Sequence, residues 1–220
     1  FLIFFLSLSA LAEEKLSSCV IDNEVILSEH NCYGKIDIGE DFTYEGEFLN
    51  GQINGEGKFI WHKKIVYDKY VGEFKDDKMH GKGKLTWVNG DEYIGGFVKG
   101  QIQGKGKKTF SNGDVYEGQF VNGFFSGFGK YITKEGTIYK GDFKNGDFNG
   151  FGEIEYSIGG KYLGEWKNGK RDGYGIVVFP DDGSTYEGEW KEGLPHGKGI
   201  ITTIDKKKQE VQFIKGELVK

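Results

Sequence analysis

The feature that most constrains the fold is a short motif that recurs at an almost constant interval along most of the chain. In the copy that opens at Tyr116, an aromatic residue, a glycine and a second aromatic residue alternate, and a turn and a Gly-x-Gly sequence follow. By subtraction of residue numbers, successive copies are 26, 23, 23, 23, 23 and 24 residues apart. Such a period indicates a repeat protein in which each unit packs mainly against its neighbours.

Seven copies align at three kinds of position. The opening tyrosines are Tyr44, Tyr70, Tyr93, Tyr116, Tyr139, Tyr162 and Tyr186. The second aromatic residues are Phe48, Phe74, Phe97, Phe120, Phe143, Trp166 and Trp190. The closing glycine pairs are Gly55/Gly57, Gly81/Gly83, Gly104/Gly106, Gly127/Gly129, Gly150/Gly152, Gly173/Gly175 and Gly197/Gly199.

Each copy is predicted to be a β-hairpin, because its apolar residues and glycines alternate with a period of two. Asn-Gly pairs such as Asn122-Gly123 are typical of tight primed turns within a hairpin. Further turn sequences, such as Asn112-Gly113-Asp114, separate one hairpin from the next. The expected fold class is all-β: an elongated, single-layer, twisted antiparallel sheet of about fourteen repeat strands, which is about 65 Å long.

Glycine supplies 37 of the 220 residues, although glycine in a strand costs conformational entropy. A ring that lies across a neighbouring strand needs a position without a Cβ beneath it, which explains glycines at fixed positions. The rings are expected to stack from hairpin to hairpin along one face. On the opposite face, acids on first strands, such as Glu45 and Glu189, are expected to pair with lysines on second strands, such as Lys58 and Lys198.

The repeated residues resemble the MORN repeat family, whose unit reads roughly Y-x-G-x-[FW]-x-x-G-x-x-x-G-x-G. The resemblance covers about residues 42–203. It implies tandem hairpins and a module for protein–protein contact or dimerisation. Proteins similar to this one have also been suggested to bind acidic phospholipids, and some plant lipid kinases carry these repeats.

The first twelve residues are uncharged, too short to cross a bilayer, and end in Ala10-Leu11-Ala12 before a charged segment. This pattern predicts the apolar region and cleavage site of a secretory signal peptide (1–12) that lacks its own start. An N-terminal core strand is disfavoured because the run does not alternate. The chain is therefore expected to be exported, to the periplasm or outside the cell.

Cys19 and Cys32 are expected to form a disulfide, since an exported chain with two cysteines usually pairs them. A metal or redox pair is the poorer alternative, because the spacing is not Cys-x-x-Cys. The sequence 16–19 also resembles a lipoprotein cleavage box. Lipid anchoring is disfavoured, because charged residues separate this sequence from the apolar run and lipidation would leave Cys32 unpaired.

Three segments follow the signal peptide in the predicted organisation. Residues 13–41 are an N-terminal cap with the disulfide and a degenerate first unit, residues 42–203 hold the seven repeats, and residues 204–220 are a half-unit cap. In that cap Phe213 takes the second aromatic position. The one 26-residue step is expected to bulge as an insertion at His62–Lys69.

No set of residues typical of catalysis, a cofactor or a metal was found. His80 and His196 occupy equivalent positions, but they are ten strands, or about 48 Å, apart on the predicted sheet. The Gly104-Lys105-Gly106 sequence lacks the rest of a nucleotide-binding loop. A net charge of −5 with interspersed lysines gives no footprint for nucleic acid.

The leading hypothesis is a non-catalytic scaffold that binds a protein, a peptide or a second copy of itself through a row of exposed rings on its aromatic face. The fourteen repeat aromatics are the candidate face, but their role is expected to be mainly structural, with the rings stacking on each other to hold the ribbon together. Peripheral binding to acidic phospholipids is the disfavoured alternative, because the only basic cluster is 206–208. A lipid kinase is a third alternative, and it would need a catalytic domain for which the chain leaves no room.

Overall fold

The computed structural model describes residues 16–22, 25–26 and 30–219, so the predicted signal peptide at 1–12 lies outside the described residues. Within the described part the chain forms twenty strands and no helix. The strands are β1 (Ser17–Ser18), β2 (Ile21–Asp22), β3 (Val25–Ile26), β4 (Cys32–Ile38), β5 (Phe42–Leu49), β6 (Gln52–Trp61), β7 (Tyr67–Lys75), β8 (Lys78–Trp87), β9 (Glu92–Val98), β10 (Gln101–Thr109), β11 (Val115–Val121), β12 (Phe124–Ile132), β13 (Ile138–Lys144), β14 (Asp147–Glu155), β15 (Lys161–Lys167), β16 (Lys170–Val178), β17 (Thr185–Lys191), β18 (Leu194–Thr202), β19 (Lys208–Ile214) and β20 (Glu217–Leu218).

One antiparallel sheet holds the repeats, and each strand from β4 to β20 pairs with the next strand in the chain. The seven predicted hairpins are β5–β6 through β17–β18, which confirms the single-layer all-β fold. Short β1 adds a parallel strand beside β4, and β2 pairs with β3 in a separate two-stranded sheet. At about 4.8 Å per strand, eighteen strands extend the sheet for about 80 Å.

The hairpin turns have the predicted conformation. At Asn122-Gly123 both residues have positive φ, 50° and 82°, as a primed turn requires. The N–H of Gly123 also donates to the carbonyl oxygen of Ile102 in the preceding hairpin, at 3.0 Å. The turns therefore connect neighbouring repeats as well as the two strands of one hairpin.

The two glycines of each Gly-x-Gly sequence have different roles. In every hairpin the register shifts by a β-bulge next to the first glycine, while the pairings between hairpins are regular. That glycine has positive φ in all seven copies, for example 78° at Gly104 and 57° at Gly127. The sequence argument attributed both glycines to ring packing, but the first is required by the bulge conformation.

The second glycine has the predicted role. A Cβ built on Gly129 would fall less than 3.0 Å from the Tyr116 ring, and Gly118 on the facing strand has the same conflict. These two glycines are paired in the register, so the tyrosine ring lies across both strands of its own hairpin. Glycine is therefore needed there for close approach of the ring.

The insertion after the first repeat is shorter than predicted. Residues 62–66 connect β6 and β7, with Lys64 in the left-handed region at φ 44°, while Tyr67 and Asp68 already belong to β7. The register of β7 against β8 is irregular between Tyr67 and Lys69. The insertion is thus made up of the loop at residues 62–66 and the irregular pairing at the start of β7.

Candidate interaction face

The sheet has two unlike faces, which we call the ring face and the open face. The ring face carries the tyrosines that open the repeats, and the open face carries the residues that alternate with them. All fourteen repeat aromatics predicted as an interaction face are buried, with exposed fractions from 0% to 6%. The exposure that the interaction hypothesis required is therefore wrong for these residues, and the rings form the core, where they stack on one another. They are Tyr44, Phe48, Tyr70, Phe74, Tyr93, Phe97, Tyr116, Phe120, Tyr139, Phe143, Tyr162, Trp166, Tyr186 and Trp190.

The rings bury one another in a continuous zigzag. Tyr116 meets Phe120 of its own repeat edge-on at 5.1 Å between ring centroids, and Phe143 of the next repeat at 4.9 Å. The same pair of contacts recurs along the sheet and ends at Phe213, which contacts Tyr186 at 5.3 Å. Edge-to-face pairs at this distance are favourable beyond the area they bury. A single-layer sheet thus makes a core without a second layer.

The hydroxyl group of each opening tyrosine also has a hydrogen-bond acceptor inside the core. Tyr116 donates to the carbonyl oxygen of Gln119, three residues later, at 2.9 Å. All seven repeats contain the equivalent bond. Burial raises the pKa of Tyr93 and of Tyr116 to about 12. The hydroxyl groups of these tyrosines therefore stay protonated at neutral pH and act as hydrogen-bond donors in the core.

The N-terminal end of the core contains the disulfide. The sulfur atoms of Cys19 and Cys32 are bonded, and Cys32 is buried opposite Phe48 of β5. Gly34 aligns with Gly46, and a Cβ on Gly34 would meet Cβ and Sγ of Cys19 at 3.2 Å. The disulfide covers this glycine at the N-terminal end of the described sheet.

The open face has an exposed aromatic row that the sequence analysis did not identify. Phe128, Phe151 and Tyr174 are the middle residues of three consecutive Gly-x-Gly sequences, with exposed fractions of 65%, 56% and 50%. Elsewhere this position holds Glu56, Lys82, Lys105 and Lys198. The available signal was this local change from charged to aromatic residues, and the three are called the aromatic row below.

Acidic side chains alternate with the aromatic row. Asp142 is registered with Phe128, Glu165 with Phe151, and Glu189 with Tyr174. Acids on first strands, such as Glu189, were expected to pair with lysines across the hairpin. Instead Glu165 accepts the N–H of Tyr174 at the bulge, at 2.8 Å, and Glu73 and Glu189 accept the equivalent N–H groups of their own hairpins. The three acids beside the row remain exposed to solvent.

Open cavities lie at both ends of the aromatic row. One, of about 680 Å³, is lined by Phe128, Ile94, Lys105, Lys107 and Glu117, among others. The other, of about 570 Å³, is lined in part by Tyr174, Glu187, Glu189, Lys198 and Ile200. The Tyr174 hydroxyl donates to Glu187 at 3.1 Å, so its ring leans across the neighbouring strand. The open face is therefore ridged by rings and not flat.

The histidines give no sign of a shared site. His80 lies on β8 and His196 on β18, ten strands apart as expected. Among the residues that the structure describes, no group of three or more His, Cys, Asp or Glu side chains could hold a metal ion. Within the same part of the chain, no helix is long and apolar enough to span a membrane.

The similarity of this chain to two solved structures is remote. The TCP10 domain of Danio rerio CPAP is 11% identical, covers 92% of this chain and 91% of its own, and has a TM-score of 0.46. The SAS-4 TCP domain of Drosophila melanogaster, solved with a proline-rich motif of Ana2, is 9% identical, covers 72% of this chain and 84% of its own, and has a TM-score of 0.43. Scores at this level support no argument about this chain. No curated protein matches its sequence.

The family comparison agrees with the hairpin boundaries. The MORN repeat model matches seven tandem segments, at residues 44–64, 70–92, 93–115, 116–138, 139–161, 162–184 and 186–206. Each match begins at the opening tyrosine of a hairpin, and together the matches cover more than half of the chain. The chain belongs to the MORN repeat family.

Proposed function

We propose that this chain is an exported, non-catalytic scaffold that binds a partner protein or peptide, or a second copy of itself, through the open face. The observation that carries the proposal is the aromatic row. Three rings that are half or more exposed lie in consecutive repeats, although the same chain buries all fourteen repeat aromatics elsewhere. Exposed aromatic clusters of this kind are typical of protein-binding surfaces.

The composition of the two faces supports this assignment. The core is complete without the aromatic row, since the ring zigzag runs through the repeats to Phe213 on the other face. Phe128, Phe151 and Tyr174 therefore have no structural role that would account for an apolar residue at these positions. Their replacement is expected to leave the fold intact.

Two features support the proposal that the chain is exported: the predicted signal peptide and the disulfide between Cys19 and Cys32. A disulfide that covers the end of the core is a structural bond, and such bonds persist in oxidising compartments. Thiol labelling of the denatured native protein tests this. We expect no free thiol without a reductant, and two labelled cysteines without a reductant would contradict export.

The binding role is tested with a triple variant, Phe128→Ser, Phe151→Ser and Tyr174→Ser. Crosslinking and pull-down from the compartment that contains the protein should lose the partner, while circular dichroism shows an unchanged fold. Loss of self-association, measured by light scattering over a range of concentrations, would identify the partner as a second copy.

The matched control removes three exposed apolar side chains outside the open-face row, with Ile65→Ser, Ile158→Ser and Ile204→Ser. These isoleucines are 70% to 85% exposed and lie on connections between strands. The control should retain the partner. If both variants bind alike, the aromatic row is not the binding site and the proposal is wrong.

A further inference from the structure

We propose that the aromatic row binds a basic, proline-rich segment of a partner protein in the polyproline II conformation, with one turn of the segment on each repeat. This inference rests on the proposed function, since it specifies the partner of the same face. It follows from the spacing of the rings, the hydrogen bonding of the sheet and the charge around the row.

The ring spacing selects among peptide conformations. Consecutive members of the row, such as Phe128 and Phe151, are two strands apart, or about 9.6 Å along the sheet. A polyproline II helix repeats every three residues, or about 9.3 Å. An extended strand places residues on one side about 6.7 Å apart, and an α-helix repeats its face every seven residues, or about 10.5 Å.

The difference between the repeat length of the peptide and the two-strand spacing of the row adds up from one ring to the next. This accumulated difference distinguishes the three peptide conformations. Across two intervals it is about 0.6 Å for polyproline II and about 1.8 Å for an α-helix. An extended strand is out of step from the second ring onwards. Of these conformations, the polyproline II repeat best keeps every third residue of a bound segment in step with the backbone positions of Phe128, Phe151 and Tyr174.

The backbone of the sheet argues against an added strand in the same position. The strands β12 to β18 are hydrogen-bonded to neighbours on both sides, so their backbone groups already have partners. An extended peptide on this face would gain no ladder hydrogen bonds, which provide the affinity when a peptide adds to a sheet edge. A proline-rich segment is recognised instead by aromatic side chains.

The charge around the row selects a basic segment. Asp142, Glu165 and Glu189 alternate with the rings, all three are exposed, and each points from the same face as the row. Further acids on this face are Glu153, Glu187 and Glu210, whereas the lysines among them are Lys130, Lys140 and Lys198. Lys105 and Lys107 lie beyond Phe128, at the end of the row. Lysine or arginine between prolines would therefore meet a carboxylate next to each ring.

The test uses three labelled twelve-residue peptides and the full chain. They are (Pro-Pro-Lys)4, (Pro-Pro-Glu)4, which reverses the charge, and (Gly-Ser-Lys)4, which keeps the charge without the polyproline II conformation. Fluorescence anisotropy at low salt should show (Pro-Pro-Lys)4 binding at least tenfold more tightly than either control peptide. Equal affinity of the two lysine peptides would overturn the inference, because binding would then depend on charge alone.

Variants locate the binding on the aromatic row. Phe151→Ser should weaken (Pro-Pro-Lys)4 binding tenfold or more, and Glu165→Gln should weaken it and reduce its salt dependence. Tyr174→Phe retains the ring and should bind normally. Phe179→Ser, which removes an exposed phenylalanine from the connection after β16, is the matched control and should also bind normally.

The inference and the proposed function fail in different ways. If the triple serine variant loses its native partner but no proline-rich peptide binds the parent chain, the open face is a docking surface and the polyproline II inference is wrong. If (Pro-Pro-Lys)4 binds the parent and Phe151→Ser equally, the inference is also wrong, because the row does not carry the binding.

Discussion

At the scale of single residues, the fold depends on tyrosine and glycine acting as a pair. Each opening tyrosine crosses both strands of its hairpin, reaches a backbone carbonyl with its hydroxyl, and needs bare backbone beneath its ring. The first glycine of each Gly-x-Gly sequence has a separate reason, because its backbone lies in the left-handed region. Two glycines two positions apart should therefore respond differently to one substitution.

Gly104 and Gly106 test this difference within one repeat. A Cβ on Gly106 would meet the Tyr93 ring, so Gly106→Ala should destabilise the protein by about 3 kcal/mol through overpacking. A Cβ on Gly104 meets nothing within 4 Å, so Gly104→Ala should cost only about 1 kcal/mol for its positive φ. Urea unfolding measures both, and equal costs would mean that ring packing is not the constraint.

The buried phenols predict alkaline unfolding. The pKa of Tyr93 and Tyr116 is raised by burial from 10.0 to about 12. A raised folded-state pKa contributes stability that is complete below pH 10 and is lost as pH rises to about 12. Absorbance of ionised tyrosine should rise together with loss of the β-sheet signal in this window. Ionisation of the core tyrosines near pH 10 in a folded chain would contradict their burial.

At the scale of elements, each hairpin is fastened to the next by its turns as well as by its rings. Asp91, in the turn after the second repeat, accepts the N–H of Ser111 in the following turn at 2.9 Å and pairs with Lys108 at 3.3 Å. Asp114 makes the equivalent contact with the N–H of Lys134 at 2.8 Å. The turns between repeats are therefore a second line of contacts along the sheet.

The Asp91 contact predicts a loss of stability in acid. Burial alone would raise the pKa of Asp91, but its hydrogen bonds with Ser111 and Asn89 and the nearby Lys108 ammonium hold the pKa below the usual 3.8. A lowered folded-state pKa gives stability that is present above pH 3.8 and lost as pH falls through the folded value. Asp91→Asn should therefore cost stability at pH 6 and progressively less at lower pH. A pH-independent difference in urea unfolding would exclude this linkage.

The disulfide predicts a local effect. Removing the bond between Cys19 and Cys32 in a Cys19→Ala, Cys32→Ala variant should cost about 3 kcal/mol for a loop of this length. Since each strand contacts mainly its neighbours, hydrogen exchange should accelerate in β4 and β5 and stay unchanged in β15–β18. Uniform acceleration along the sheet would show that the array unfolds as one unit.

The sequence predicted the elements well because their signals are local. The Asn-Gly turns, the tyrosine period and the Phe213 cap each follow from a residue and its near neighbours. How far a ring is buried is not local information: a period of two places Tyr116 and Phe128 on opposite faces but does not give the exposed fraction of either ring. That depends on rings of adjacent repeats, such as Tyr116 and Phe143, covering one another. The candidate site was missed for this reason.

At the scale of the whole molecule, the sheet is a repeating array in which every unit meets equivalent neighbours. Tyr93 contacts Phe120 and Tyr116 contacts Phe143, both at 4.9 Å between ring centroids. Stability should therefore be a sum of repeat and neighbour terms. Length and binding capacity should then both change in steps of one repeat.

Deletion of residues 116–138 tests this property. The deletion joins Val115 to Tyr139, which like Tyr116 is the opening tyrosine of a repeat. In the shortened chain Tyr93 should contact Phe143, whereas in the full chain it contacts Phe120. The shortened chain should fold, and X-ray scattering should give a maximum dimension about 10 Å smaller, since two strands are removed. The deletion also removes Phe128, so binding to the open face should weaken while Phe151 and Tyr174 still contribute. An unfolded product would show that the repeats are not interchangeable, because some contact specific to residues 116–138 would then be required for the fold.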